Sequence, residues 1–223
     1  MGDHILRPMV PVPKRPKIYH ITHIDNLASM VDDLIWSDAE RIRRGLQCEV
    51  VGMTEIKRRR LEELEVECHA GTKVGEYVPF YFCPRSIMLY LLHMGNHPDL
   101  TYRGGQGPIV HLEADLRNVV ASTETTGRNW AFSKGNAGAR YAEFFKDMAR
   151  LSEINWTAVA AATWRDPDLK EGKQAEFLVQ ECFPWQHVDT IGVISEQMAN
   201  QVKGIIGGAE HQPSVLVQPA WYY

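Results

Sequence analysis

The sequence predicts an α+β fold in one domain, with a mixed or antiparallel central sheet and helical insertions. Three observations carry this expectation. Strand-type runs and amphipathic helical stretches succeed each other without a fixed alternation or internal repeat. At 223 residues the chain is long for one domain and short for two, so a single compact unit with room for an insertion is favoured. No GxGxxG, GxxxxGK[ST], GxSxG or HExxH pattern occurs, which leaves dinucleotide-binding, P-loop, hydrolase-elbow and zincin architectures without support.

The elements follow in order. Residues 1–17 are Pro-rich and basic, lack an apolar run of signal-peptide length, and read as a flexible leader; residues 18–223 then form the domain. Ile18 to His23 is a strand, and Asp25 and Asn26 cap an amphipathic helix from Leu27 to Ile35. From Asp38 to Glu67 the dense mixed charge suggests an exposed helix or an ordered loop able to cover a site. Tyr77 to Phe82 is a strand with Pro79 at an edge or irregular position, and Ile87 to Met94 a buried helix. A turn at 104–108 leads into a strand from Ile109 to Leu112. Between Thr123 and Gly138 turn formers dominate and apolar periodicity is weak, so a functional loop is expected. Tyr141 to Leu151 reads as a helix that Trp156 to Trp164 continues. A polar connection at 165–173 then enters a strand over 175–179. A strand at 188–194, a helix at 196–206 and a strand at 214–218 complete the chain.

Composition narrows the function. With 44% hydrophobic and 23% charged residues the chain resembles soluble globular proteins, and no window offers about eighteen consecutive apolar residues; a cytoplasmic protein without a membrane span is expected. Cys48, Cys68, Cys83 and Cys182 lack CxxC spacing, which argues against a disulfide framework and a zinc knuckle, so no metal is expected. The net charge of −4 carries no nucleic-acid signature, and any such site must be a local patch.

Glu176 is a lone acid in an otherwise apolar strand. It either points to the solvent side of a half-buried strand or sits at a cleft, where a carboxylate can bind a sugar hydroxyl and stabilise positive charge at an anomeric carbon. The run Arg58-Arg59-Arg60 is either a solvated helix face or the source of a guanidinium for a pyrophosphate. His20 and His23 fall on opposite faces of a strand and make a poor metal pair. Aromatic and basic residues interleave in YVPFYFCPRSIMLY and WRDPDLKEGKQ, as in single-stranded nucleic-acid grooves, although such aromatics also serve as core.

The blocks YHITHIDNL, EIKRRR, YVPFYFCPRSIMLY, GGQGPIVHL, KQAEFLV followed by FPW, and WYY closely resemble the DarT family, spread from Ile18 to Tyr223. The resemblance implies an ADP-ribosyltransferase fold like that of the poly-ADP-ribose polymerases. It further implies a toxin that transfers ADP-ribose from NAD to a base, thymidine within a short motif, of single-stranded DNA, with a macrodomain antitoxin of the DarG type as partner. Carried over by position, it makes Glu176 and Arg60 catalytic. His20, Ile21, Thr22, Ser29, Trp36, Arg60 and Tyr81 become NAD contacts. Arg85, Ser86, Met88, Leu89 and Tyr90 form one wall of a DNA groove, and Thr163, Trp164, Lys170, Lys173 and Gln174 the other. A protein or RNA ADP-ribosyltransferase and a non-catalytic NAD or nucleic-acid binding module are the alternatives.

Overall fold

A computed structural model describes residues 10–31 and 34–223. The sheet that organises the chain has eight strands: β1 (Lys17–His23), β3 (Tyr77–Tyr81), β4 (Ile109–Asp115), β5 (Trp130–Ser133), β6 (Phe144–Phe145), β7 (Glu176–Gln180), β9 (Thr190–Val193) and β10 (Ser214–Val217). Their order is β10-β9-β4-β1-β3-β7-β5-β6. Only the β9–β10 pair is parallel, so the sheet is mixed and mostly antiparallel, as expected. A second sheet pairs β2 (Leu34–Trp36) with β8 (Cys182–Pro184).

Burial explains the central strands. Phe80, Phe132, Phe177 and Val179 belong to the main core on one face, whereas Tyr77, Ala131 and Leu178 pack in a smaller cluster with Val66 and Val74. Strand β7 is therefore covered on both faces, which is why its sequence shows no polar alternation. The helices are α1 (Leu27–Val31), α2 (Asp38–Arg43), α3 (Thr54–Glu62), α4 (Ile87–Met94), α5 (Leu116–Thr126), α6 (Trp156–Ala160), α7 (Pro167–Gly172) and α8 (Glu196–Ile206). Helix α4 runs between a Ser86 cap, whose Oγ accepts from Leu89 N–H, and Gly95 in the left-handed conformation at φ 61°.

Several expectations change. The helix placed over 27–35 is described over Leu27–Val31, and Leu34–Trp36 is a strand because β8, unannounced by the sequence, offers it a partner. Glu181, at φ 64°, turns the chain sharply from β7 into β8. The segment placed as a loop at 123–138 is regular over half its length. Helix α5 extends to Thr126, where Thr125 and Thr126 bond back to the carbonyls of Ala121 and Ser122, and β5 lies fully within the sheet. Residues 127–129 and 134–138 remain loop between elements. The helix placed over 141–151 is instead β6, pairing Phe145 with Phe132, followed by a 3-10 turn from Met148 capped by Asp147. Helix α6 ends at Ala160 rather than continuing to Trp164, and the polar connection folds as α7, capped by Asp166 with Pro167 in its first turn. The leader expected over 1–17 lies partly outside the described residues; Arg15 bonds Asp115 Oδ2 at 2.9 Å, and β1 already includes Lys17. Among the described residues no helix is long and apolar enough to cross a membrane.

Three histidines are pulled down by burial: His20, His187 and His111, whose pKa falls to about 4 despite the opposing pull of the Pro84 carbonyl. Each is depressed below the ordinary value of about 6.5 that the unfolded chain retains, so the unfolded state takes up protons first as pH drops. Their contribution is therefore complete above about pH 6.5 and is lost as pH falls below it; for His111 the loss runs down to about 4, with a slope of about 1.4 kcal/mol per pH unit. Thermal unfolding followed by circular dichroism should show a midpoint that falls across this window, with a shallower slope in His111→Gln. A flat midpoint down to pH 5 would contradict this account.

Candidate active site

Strand register puts Tyr81 directly opposite Glu176, at the end of the β3–β7 pair. Helix α3 crosses above them and brings in Arg60. Its guanidinium donates two hydrogen bonds to the Glu176 carboxylate, Nη1 to Oε1 at 3.2 Å and Nη2 to Oε2 at 2.9 Å. Ala137 N–H donates to Oε1 at 3.0 Å, so the 134–138 loop completes the cradle. The Glu176 side chain is 3% exposed and that of Arg60 13%, so both polar groups leave water for each other. Glu176 thus faces a cleft rather than solvent, and Arg60 leaves the solvated face of α3. Arg58 keeps to that face, paired with Glu55, Glu62 and Glu63.

The pair lies in a cavity of about 560 Å³, within the range of about 300–1,000 Å³ that small-molecule sites occupy. A smaller cavity of about 200 Å³ adjoins it, and His20, Ile21, Asp38, Val51, Lys57 and Pro79 line both. Thr22, Ser29 and Trp36 line the smaller cavity, whereas Tyr81 and Arg60 line the larger one. All seven residues assigned to NAD therefore meet along one continuous cleft. Asn26 supports it from behind: its amide nitrogen donates to Thr22 Oγ1 and to Glu49 O, and its oxygen accepts from Glu49 N–H, pinning the segment that roofs the smaller cavity. Trp36 carries the Arg44 guanidinium 3.6 Å from its ring centroid.

Electrostatics differ along the cleft. His20 donates from Nδ1 to Pro79 O at 2.8 Å, because a carbonyl can only accept; burial keeps the ring neutral, so Nε2 remains an acceptor. Burial works against the Asp38 carboxylate, but Lys57, bonded at 2.8 Å, together with Arg41 and Arg60 outweighs it and holds Asp38 below the usual range. Burial pushes the Tyr81 hydroxyl well up, and the Glu176 charge adds to the effect. For Arg60, burial opposes the cation, yet Glu176, Tyr81 and Asp38 more than compensate and raise its pKa.

Lys57 and Asp38 were not among the residues assigned from the sequence. The signal was present in the i, i+3 spacing from Lys57 to Arg60, which places both on one face of α3. Asn136, which donates to Gln174 Oε1 at 3.4 Å, also lines the larger cavity and had no signal beyond the turn-rich segment it occupies.

The residues assigned to DNA separate into three groups. Met88, Lys170 and Gln174 line the mouth of the larger cavity. Arg85, Tyr90 and Trp164 gather a short distance away in a partly exposed aromatic cluster, with Thr163 exposed beside Trp164. Ser86, Leu89 and Lys173 are corrected from groove contacts to supports: Ser86 caps α4, Leu89 is fully buried in an apolar cluster, and Lys173 donates to Ala161 O at 2.8 Å while 2% exposed. Burying the lysine without a carboxylate is tolerable because carbonyls accept from it. Among the described residues no group of three or more His, Cys, Asp or Glu could hold a metal ion.

The chain resembles proteins that are already known. A DNA ADP-ribosyl transferase of Thermus sp. (strain 2.9) is 35% identical over 217 residues, covering 95% of this chain and 98% of that protein. One of Escherichia coli O127:H6 is 27% identical over 220 residues, covering 95% of each. Among solved structures, Thermus sp. 2.9 DarT in complex with ADP-ribosylated ssDNA matches with a TM-score of 0.85 at 32% identity, covering 96% of this chain and all of that one. The same protein in complex with NAD+ matches at 0.77, also at 32% identity, covering 96% and 100%. Residues 19–223 match the family described as ssDNA thymidine ADP-ribosyltransferase, DarT, and the chain belongs to that family of DNA ADP-ribosyltransferases.

Proposed function

We propose that this chain modifies a thymine of single-stranded DNA with ADP-ribose drawn from NAD, and that Glu176 and Arg60 are its catalytic pair. The observation that carries the reading is the buried, two-pronged Arg60–Glu176 ion pair at the floor of a cleft lined by His20, Lys57 and Tyr81. The cleft fits an elongated, doubly anionic donor: two adjoining cavities meet at Lys57, with Arg41 at the smaller and Arg60 at the larger.

NAD supplies an ADP-ribosyl group and a good leaving group, nicotinamide. Glu176, held by Arg60 and Ala137 N–H, accepts a hydrogen bond from the ribose 2′-hydroxyl and stabilises the positive charge that develops at the anomeric carbon. The neutral His20 orients the donor through its free Nε2 acceptor. The bond from the anomeric carbon to nicotinamide breaks, a bond to a thymine ring nitrogen forms, and the proton of that nitrogen passes to solvent. Arg60 stays cationic in the free protein and acts by stabilising negative charge on the thymine as that proton leaves. Tyr81, its hydroxyl kept neutral by burial, offers a donor or a ring face beside them.

The acceptor enters past Met88, Lys170 and Gln174 without a base having to leave a duplex. A transferase that damages DNA has to be opposed, and a glycohydrolase of the DarG type is the matching partner; a Thermosipho africanus relative is a DNA ADP-ribosyl transferase-DNA ADP-ribosyl glycohydrolase fusion protein. The cytoplasm, where NAD and single-stranded DNA meet, is the place of work. Incubation with NAD and short oligonucleotides, read by mass, tests the reading. A single added ADP-ribose on thymidine-containing strands, absent from thymidine-free strands and with Glu176→Ala, is expected. Nicotinamide release with label entering only protein or RNA would reject it.

A further inference from the structure

Outside both cavities, the chain's last three residues are fixed onto the sheet. The Trp221 ring occupies the space over Gly192, and the Tyr222 hydroxyl lies 2.8 Å from Ile109 O and 3.1 Å from Gly192 O. Gln106 grips Tyr223 by its backbone, accepting from its N–H at 3.0 Å and donating to its carbonyl. The Tyr223 side chain is thereby held at a defined place between the two segments assigned to DNA.

Its hydroxyl joins them. It accepts from Trp164 Nε1 at 3.1 Å and gives its one proton to Arg85 O at 2.9 Å, with Ser86 O at 3.3 Å as the second acceptor. The preceding carbonyl, Pro84 O, accepts from His111 Nε2 at 3.0 Å. Three consecutive carbonyls of the Pro84–Ser86 turn are thus anchored from the protein side. Arg85 lies with its guanidinium 4.3 Å from the Tyr223 ring centroid, and among the described residues no carboxylate pairs with it. The Tyr90 ring closes the cluster, edge-on to Trp164 at 4.7 Å and to Tyr223 at 5.1 Å. An unpaired guanidinium beside partly exposed aromatic faces is what phosphates and unstacked bases bind.

We propose that Tyr223 is a positioning residue for the single-stranded DNA acceptor: its hydroxyl ties the Pro84–Ser86 turn to Trp164 and so holds Arg85 and the rings at one spacing for a phosphate and a base. This rests on the DNA-modifying function above.

Tyr223→Phe keeps the ring under Arg85 and removes only the hydroxyl. With a labelled thymidine-containing oligonucleotide, the dissociation constant by fluorescence anisotropy and the KM for transfer should each rise about tenfold, since one bond is lost and the Trp164 N–H is left without an acceptor. Transfer at saturating oligonucleotide and the KM for NAD should stay within about twofold. Trp164→Phe, which removes the other end of the bond, should give a similar loss, and the double variant should be no worse than the more affected single one. Losses that add in the double variant, or unchanged DNA affinity in both single variants, overturn the proposal and leave the transferase reading standing. A wild-type protein that neither binds nor modifies any oligonucleotide overturns both, and the wild-type arm alone tells these results apart.

Discussion

Glu176→Gln should lower the rate of ADP-ribosyl transfer to DNA by about 10²–10³-fold, the range for losing one preorganised electrostatic group in a closed site. The substitution keeps size and an acceptor oxygen, so Ala137 N–H and one arm of Arg60 retain a partner. What it removes is the negative charge, and that charge matters only as positive charge grows at the anomeric carbon. The loss should therefore appear in kcat, with the KM for NAD changed by less than about threefold, because an interaction gained in the transition state leaves ground-state binding alone. Initial rates by mass over a range of NAD concentrations check this. A loss confined to KM would make Glu176 a binding group and overturn its proposed role, as would wild-type kcat. Unfolding by circular dichroism should remain cooperative in the variant.

The sequence made the outline of this site legible where local chemistry and fold agree. Strands β1, β3, β4, β7, β9 and β10 and helices α4 and α8 fall close to their expected places, because β-branched and aromatic runs or clear caps mark them. Glu176 stood out as one acid among apolar neighbours, but the strand alone could not say which way it pointed. That depends on Arg60, 116 positions away, and on Ala137 from a third segment. Short elements stabilised only by distant partners were illegible for the same reason. Leu34–Trp36 is a strand because Cys182–Pro184 pairs with it, and Phe144–Phe145 because Phe132 and Ser133 do. The turn-rich look of 123–138 concealed β5, whose four buried residues are too few to show a period. Groove assignments made by position failed at Ser86, Leu89 and Lys173, because neighbours on one helix or loop face opposite ways and position does not specify direction. Tyr223 falls in the WYY block, but nothing in that block announces its contacts with residues 106, 164 and 85.

Arg60→Ala should cost more than activity. Removing the guanidinium strands a carboxylate that is 3% exposed, with Ala137 N–H as the hydrogen-bond partner left to its side chain among the described residues. Breaking a buried pair from one side typically destabilises by about 3–5 kcal/mol. At about 2–4 °C per kcal/mol for a chain of this size, the thermal midpoint should drop by roughly 6–20 °C. Arg60→Lys keeps a cation near Glu176 but not the two-pronged geometry, so a smaller drop is expected. The two variants also separate the ways in which Arg60 can assist the thymine. Glu176, Tyr81 and Asp38 hold the proton on Arg60 against the effect of burial, which opposes a role as proton acceptor in the free protein and favours stabilisation of developing negative charge. A lysine can supply that charge from a less favourable position, so Arg60→Lys should retain at least about tenfold more transfer activity than Arg60→Ala when both are compared below their melting temperatures. Equal loss in the two folded variants would show that charge alone is insufficient. The planar fork, holding Glu176 and facing the acceptor together, would then be the property that the site requires.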